Sequence, residues 1–407
     1  MPGLDTKTSK HHSRPTLDWL IVGGGVHGTH LAHVLVNALG VARDRLRVLD
    51  PHPQPLAQWD RLTTNVSMAY LRSTGVHHLA LDPDDLRRFG SRLQGLPVAP
   101  FAHPYARPAH ALFQAHCRHV CATHRLDELF VQGTANGLAR RIGGWRVETE
   151  QGSLEARRVL LAVGRTWLNW PVWASAVQAG GGSVHHIFQQ DFLAAGLLAL
   201  ARFVVVGGGI TAAQVALQLA RRAPGAVTLL MRHPMREHDF DADAGWFGPK
   251  FLEGFQATAC YGQRRQMIGA ARYRGSIPPS IARAVREAVE RGLLALRQGE
   301  VASASVGAQG AARLRLADGG QIEADQIVLA TGFDPARPGH EWLDRAIAAY
   351  NLPCAACGYP IVDQTLCWQP GLYVSGALAE LEIGPIAANI AGARHAARRL
   401  QQVVSNA

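Results

Sequence analysis

Three glycines at a fixed spacing, Gly23-x-Gly25-x-x-Gly28, follow the apolar run Leu17-Asp18-Trp19-Leu20-Ile21-Val22. Chemistry at such a place belongs to the backbone. Gly23 permits a tight turn, Gly25 lets the main chain approach a diphosphate, and Gly28 lets the next helix pack closely on the strand. The helix start then offers free N–H groups and the positive end of its dipole to an anion. Arg47-Val48-Leu49-Asp50 ends in a carboxylate about 20 residues further on, where an acid accepts hydrogen bonds from a ribose. The arrangement returns in Phe203-Val204-Val205-Val206, then Gly207, Gly208 and Gly209, with Ala212 in the third position. Its second strand, Val227 to Met231, runs into Arg232-His233-Pro234-Met235-Arg236 and carries no acid. An acid there would repel a ribose 2′-phosphate, whereas Arg232 and Arg236 can pair with one. The second turn therefore suits NADPH, unless both arginines are merely solvated.

Other residues could do chemistry. His27 stands in the first glycine turn, placed to donate a hydrogen bond or a proton. A helix start disfavours its charged form, and a packed histidine is the plain alternative. Cys354 and Cys357 have redox spacing in a Pro- and Gly-flanked loop, with incidental thiols as the alternative. With Cys367 they lack a fourth ligand for zinc, so no metal site is expected. Between Arg236 and Pro279 lies a dense excursion that includes His238, Asp239, Asp241, Asp243, Trp246, Lys250, Arg264, Arg265 and Arg274. Such length is unusual inside a nucleotide-binding domain. It fits a segment that closes over nicotinamide or substrate, or a surface insertion or dimer contact.

Strand, glycine turn, helix and strand must position these groups, which makes the chain α/β. Helical spacing after the first turn falls on Leu31, Val34, Leu35 and Leu39. Trp145–Glu150 with Ser153–Glu155, and Ala312–Leu316 with Gln321–Glu323, are predicted hairpins, one after each glycine unit. The net charge is +10, yet the lysines are only Lys7, Lys10 and Lys250, and no dense basic run exists, so nucleic acid is not an expected partner. The most apolar stretch, about Gly196 to Ala220, contains Arg202 and the second glycine turn, which excludes a membrane span. Met1 to Arg14 is polar without an apolar core; residues 1–15 are expected to be a disordered tail and the location cytoplasmic.

Two such turns in one chain, acidic first and basic second, resemble the two-dinucleotide-binding-domain flavoprotein superfamily. The resemblance implies FAD at the first turn and NADPH at the second. Asp325 to Phe333 supports it, ending in Ala330-Thr331-Gly332 like the segment with which that superfamily leaves its NADPH domain. So does Gly371-Leu372-Tyr373-Val374-Ser375-Gly376, followed by a helical stretch from about Pro385 to Val403; that joint faces the flavin in the family. The family usually has Gly-Asp there, with the acid on the ribityl chain, whereas this chain has Gly376-Ala377, with Glu380 and Glu382 as possible substitutes. The implied fold is two Rossmann-like domains of the three-layer ββα type. An FAD domain (16–170 and 325–407) would be split by an NAD(P)H domain (171–324).

Within that superfamily the segment after Asp50 is similar to a loop of lysine and ornithine N-hydroxylases, with Trp59, Met68, Leu71 and Arg72 in matching order. The resemblance implies an NADPH-using flavin monooxygenase acting through a flavin hydroperoxide, with O2 and a small nucleophile, an amine by preference, as substrates. His27, Arg72 and Asn389 are the candidate catalytic residues. Gly23, Gly25, Gly28, Asp50, Trp59, Met68, Gly207, Gly209, Ala212, Arg232, Arg236, Thr331, Gly332 and Gly376 are the candidate cofactor contacts. An NAD(P)H:acceptor or disulfide reductase, and an FAD- and NADP(H)-holding redox sensor, are the alternatives. Flavoproteins of this design are often dimers, so a homodimer is open.

Overall fold

The computed structural model describes residues 17–197, 201–307 and 310–405; the tail expected at 1–15 lies outside them. The chain opens with β1 (Leu17–Val22), α1 (Val26–Asn37), β2 (Leu46–Asp50) and α2 (Ala57–Asn65). After a helix at His110–Thr123 come β3 (Phe130–Gln132), β4 (Ala135–Arg141), β5 (Gly144–Thr149) and β6 (Gly152–Leu161). β1 pairs in parallel with β2 on one side and β6 on the other, with Ile21 opposite Val48 and Leu160. Such a strand is covered on both faces, which is why its core-facing run is almost continuously apolar. β5 and β6 form the predicted hairpin, Val147 opposite Leu154.

The middle of the chain repeats the plan. β7 (Val184–His186), β8 (Phe203–Val206), α3 (Ile210–Arg222) and β9 (Val227–Met231) precede the excursion, which contains β10 (Arg236–Glu237), a helix at Pro249–Ala257, α4 (Tyr261–Ala271) and β11 (Ser276–Ile277). Then follow β12 (Ala295–Gln298), β13 (Val301–Val306), β14 (Ala312–Leu316), β15 (Gln321–Ala324) and β16 (Gln326–Leu329). A parallel five-stranded sheet has the order β12-β9-β8-β16-β7, with Val205 opposite Leu229 and Val328. β14 and β15 are the second predicted hairpin, widened by β13 to three strands.

The chain then returns to the first sheet. α5 (His340–Tyr350) leads to β17 (Cys367–Gln369) and β18 (Leu372–Val374), followed by α6 (Glu380–Ile383) and α7 (Ile390–Ser405). β18 lies beside β6, Tyr373 opposite Leu160, so the first sheet runs β17-β18-β6-β1-β2-β3, with β4 and β5 attached at β6. α1 and α7 pack together on it, burying Leu31, Leu35, Ala396 and Leu400. The helix predicted from Pro385 starts only at Ile390. Gly384, at φ +90°, and the bonds Ala387 N–H to Gly384 O and Asn389 N–H to Ile386 O make residues 384–389 a chain of turns. No helix among the described residues is long and apolar enough to cross a membrane.

Candidate active site

The first glycine turn has the shape its spacing requires. Gly23 has φ +107°, and a Cβ there would stand 2.5 Å from the Ala162 carbonyl oxygen. A Cβ on Gly28 would stand 1.7 Å from the Gly23 carbonyl, so only glycine lets α1 lie against β1. At Gly25 a Cβ would meet nothing within 4 Å. Packing thus explains Gly23 and Gly28, while Gly25 keeps open space at a helix start, as an approaching diphosphate requires. Asp50 is aimed at this turn: its carboxylate accepts from Gly24 N at 2.6 Å and His52 N at 2.9 Å.

The second turn is built alike with a basic rim. A Cβ on Gly207 would stand 2.6 Å from the Ala330 carbonyl oxygen. Ala212, fully buried, fills the third-glycine position. Arg232 and Arg236 are exposed, and Arg236 Nη1 donates to the Arg274 carbonyl at 3.4 Å. His233 had attracted no role in the sequence. Its Nε2 would lie 2.7 Å from a Cβ on Gly208 and 2.6 Å from one on Gly275, so its ring fits between two glycines and joins the turn to the far end of the excursion.

Thr331 and Gly332 lie where the chain leaves the second sheet. Thr331 Oγ1 donates to the Asn169 carbonyl at 2.5 Å, and Asn169 N donates to the Gly332 carbonyl at 2.9 Å. Leu168 and Phe333 form an antiparallel bridge, so the two crossings run side by side, with Trp167 stacked 3.6 Å from His340.

His27, Gly376 and Asn389 come together at the start of α1. His27 is buried; its Nε2 is 3.0 Å from the Asn389 carbonyl and its Nδ1 2.9 Å from Ser375 Oγ. A carbonyl only accepts, so Nε2 carries the proton and Nδ1 accepts from the Ser375 hydroxyl. Burial lowers the imidazole pKa to about 4, against the smaller opposing effect of the Asn389 carbonyl. His27 is therefore neutral and fully hydrogen-bonded, a fixed group and not a free acid. Gly376 has φ +65°, and a Cβ there would lie 3.8 Å from the His27 ring. Asn389, just before α7, supplies its carbonyl to His27, and its Nδ2 reaches Asp241 Oδ1 at 3.4 Å.

The Trp59–Arg72 segment forms the adjoining wall. Trp59, on α2, packs against Phe113 and His110, with ring centres 5.0 and 5.6 Å apart. Met68 is half-buried against the same core. Leu71 N donates to the Pro108 carbonyl at 3.0 Å. Arg72 follows and crosses to the excursion. Its Nη2 meets the carbonyls of His238 and Phe240, each at 2.7 Å, and Ser276 Oγ at 2.8 Å; its Nε reaches Asp239 O at 3.0 Å and its Nη1 Ser276 O at 3.2 Å. The guanidinium expected to be catalytic thus has its donors committed to four main-chain carbonyls and the Ser276 hydroxyl. Its geometry is that of a positioning residue.

Glu380 and Glu382, considered as ribityl contacts, are engaged elsewhere. Glu380 is fully buried; Arg265 Nη1 and Arg272 Nη2 each approach it to 2.5 Å, and Arg165 to 3.8 Å. Burial pushes its pKa up, but Arg272 and Arg265 outweigh that and hold the carboxyl below its ordinary range. Glu382 pairs with Arg264 at 3.0 Å and Arg399 at 3.6 Å. Through Arg264 and Arg265 these pairs bind α4 of the excursion to α6. The adjacent Arg264-Arg265 and the two glutamates were a visible signal of opposite charges, but nothing local says that they meet.

A mixed sheet and a parallel one, with glycine turns after β1 and β8 and with paired crossings between them, define a two-nucleotide α/β oxidoreductase fold. Residues 135–403 match the family described as pyridine nucleotide-disulphide oxidoreductase, and the chain belongs to it. Residues 20–166 match the FAD-NAD(P)-binding family, in keeping with FAD and NAD(P) as cofactors. No curated protein matches the sequence. Among solved structures, the chain is similar to the FAD-bound cadaverine monooxygenase DfoA of Erwinia amylovora, at 13% identity over 97% of this chain and 95% of that one, with a TM-score of 0.73. The reduced ornithine hydroxylase PvdA of Pseudomonas aeruginosa gives 18% identity over 96% and 99%, with a TM-score of 0.72. A thioredoxin reductase of T. acidophilum gives 14% identity over 97% and 100%, with a TM-score of 0.58. At these identities the likeness is one of fold.

Proposed function

We propose that the chain is an FAD-dependent, NADPH-using monooxygenase that places one oxygen atom of O2 on a small nucleophile, an amine by preference. The observation that carries this reading is the wall formed where Arg72 pins the Trp59–Arg72 segment to residues 238–240 and 276, beside the His27–Ser375–Asn389 group. The full-length likeness to a cadaverine monooxygenase and an ornithine hydroxylase supports it.

In this reading residues 16–170 and 325–407 hold FAD, and residues 171–324 hold NADPH. FAD, once bound, would supply hydride acceptance and oxygen activation. The open space at Gly25 would receive its diphosphate, and Asp50 its ribose. Trp59, Met68 and Gly376 would border the isoalloxazine. Gly207, Gly209 and Ala212 would cradle the NADPH diphosphate, with Arg232 and Arg236 on the 2′-phosphate, and Thr331 and Gly332 would set the return crossing beside both. His27, held neutral with its Nε2 proton on Asn389, would keep α1 and the Ser375–Gly376 turn in register without donating a proton to solvent. Arg72 and the buried Glu380 pairs would hold the excursion down, so that water is excluded while the oxygen is retained.

The test is a stoichiometry. The FAD-loaded protein, given NADPH, O2 and a panel of small primary amines, should form hydroxylamine product in proportion to NADPH consumed for at least one amine. NADPH consumption matched wholly by released peroxide for every nucleophile tried would sink the oxygenase. The second reading, a reductase without oxygen transfer, has in its favour the matched family and the thioredoxin reductase likeness. It requires NADPH oxidation under argon with a quinone or disulfide acceptor.

A further inference from the structure

Cys354 and Cys357 find no place in that chemistry. They sit in the loop between α5 and β17. The loop is an ordered hairpin tip: Cys354 bridges Pro360, Gly358 N donates to the Ala355 carbonyl at 2.8 Å, and Ala355 N to the Tyr359 carbonyl at 2.9 Å. Gly358, at φ +78°, completes the reversal. Cys357 is exposed and Cys354 half-buried, and both are free thiols.

The surroundings separate Cys357 from the other cysteines. The Arg265 guanidinium lies 4.1 Å over the Tyr359 ring and bonds Glu380 at 2.5 Å. Two of its nitrogens, Nε and Nη2, have no hydrogen-bond partner among the described residues. Burial works against the Arg265 charge, but Glu380 and then the neighbouring Cys357 side chain hold the guanidinium charged, and Cys357 stands two residues before the Tyr359 ring on which that guanidinium lies. A thiol that is accessible and next to a fixed cation is the reactive kind, because the thiolate is the nucleophile. Cys117 is buried, with its thiol pushed well up; burial pushes Cys121 to about 12. The Cys367 thiol donates to the Gln369 carbonyl at 3.0 Å. Cys260 is exposed, and no hydrogen bond reaches its sulfur among the described residues. Burial raises the Cys354 thiol, which suits a partner that attacks second.

We propose that Cys357, with Cys354 as resolving thiol, is a site of reversible oxidation by hydrogen peroxide. The Cys357 thiolate attacks one peroxide oxygen and the O–O bond breaks. The leaving hydroxide takes a proton to become water, and Cys357 becomes a sulfenic acid, oxidised by two electrons. The Cys354 thiol then attacks that sulfur, the S–O bond breaks, and a second water leaves as the disulfide forms. Two thiols and one peroxide give one disulfide and two waters, and exchange with an added dithiol restores the pair.

The experiment exposes the FAD-loaded full chain to hydrogen peroxide, alkylates the remaining thiols at intervals, and follows each cysteine by peptide mass spectrometry. The pair at 354 and 357 should lose alkylation together, about 10-fold faster than Cys260, and recover with dithiothreitol. In Cys354→Ser, Cys357 should accumulate as a dimedone-reactive sulfenic acid. Arg265→Gln should slow the oxidation about 10-fold. Equal rates at Cys357 and Cys260 in the unaltered protein overturn the proposal without any variant having to fold. So does oxidation of Cys357 that never consumes Cys354. Neither result bears on oxygen transfer to an amine, so the two readings fail separately.

Discussion

Replacing Arg72 by methionine keeps the side chain's apolar stem and removes its fork of donors. Five contacts go, to the carbonyls of His238, Asp239, Phe240 and Ser276 and to Ser276 Oγ. A hydrogen bond from a charged donor contributes about 1.5–3 kcal/mol net. The five are not additive, because they share one guanidinium whose burial is itself unfavourable. The three shortest contacts set the scale, at about 3 kcal/mol for the group. Since about 1.4 kcal/mol is a factor of ten, local opening of residues 236–241 and 272–277 should become roughly 100-fold more frequent. Native-state hydrogen exchange reads this at the amides of His238, Tyr273 and Ser276, which donate to the Ile277, Asp241 and Tyr273 carbonyls. Exchange there should accelerate while the amides of β1 and β6 stay protected, and NADPH oxidation should uncouple towards peroxide. Exchange at those three amides within about 3-fold of the unaltered protein would refute the clamp.

The glycine turns predict a contrast: Gly28→Ala should fail to fold, whereas Gly25→Ala should keep apo stability within about 0.5 kcal/mol and lose at least about 10-fold in FAD affinity by fluorescence titration. Arg232→Ala should lower the NADPH/NADH ratio of kcat/KM by about 10-fold, the equivalent of one surface phosphate contact; an unchanged ratio removes Arg232 from the site. Burial lowers His27, His30 and His33 to about 4, 3 and 4. An unfolded histidine titrates near 6.5, so the unfolded chain binds more protons below that value. Stability is thus complete above about pH 6.5 and falls as pH drops towards 4, by up to about 1.4 kcal/mol per unit for each histidine. Denaturant melts at pH 7 and pH 5 should show this, and His30→Gln should flatten the slope. Glu380→Gln leaves Arg265 and Arg272 without a buried counter-charge and should destabilise by about 3 kcal/mol, measured as the denaturation midpoint of the FAD-loaded protein.

Local pattern made the frame legible. Each glycine turn is a contiguous signature whose steric demands are met within a few residues, as the Gly28 approach to Gly23 shows. Both hairpins and the carboxylate ending β2 were likewise matters of short spacing. Contacts between distant segments were not legible. Arg72 meets residues 238–240, and Arg265 meets Glu380, and no periodicity encodes such meetings. His27 was visible as a histidine in a turn, but its neutral state follows from burial, and its Nε2 proton is fixed by an Asn389 carbonyl brought in from the far end of the chain. The expected start at Pro385 failed because turns at Gly384 and Ile386 take hydrogen bonds that a continuous helix would have used.

The bridge between Leu168 and Phe333 bears on the ancestry of the chain. Because the two crossings touch, the entry and exit of the intervening 160-odd residues are neighbours in space. A segment with adjacent ends can be gained, lost or exchanged through one opening in its host, leaving the pairing of β6 with β18 undisturbed. Each half can therefore diversify at its own pace, one towards a new pyridine nucleotide and the other towards a new acceptor, like a tool head on a common handle.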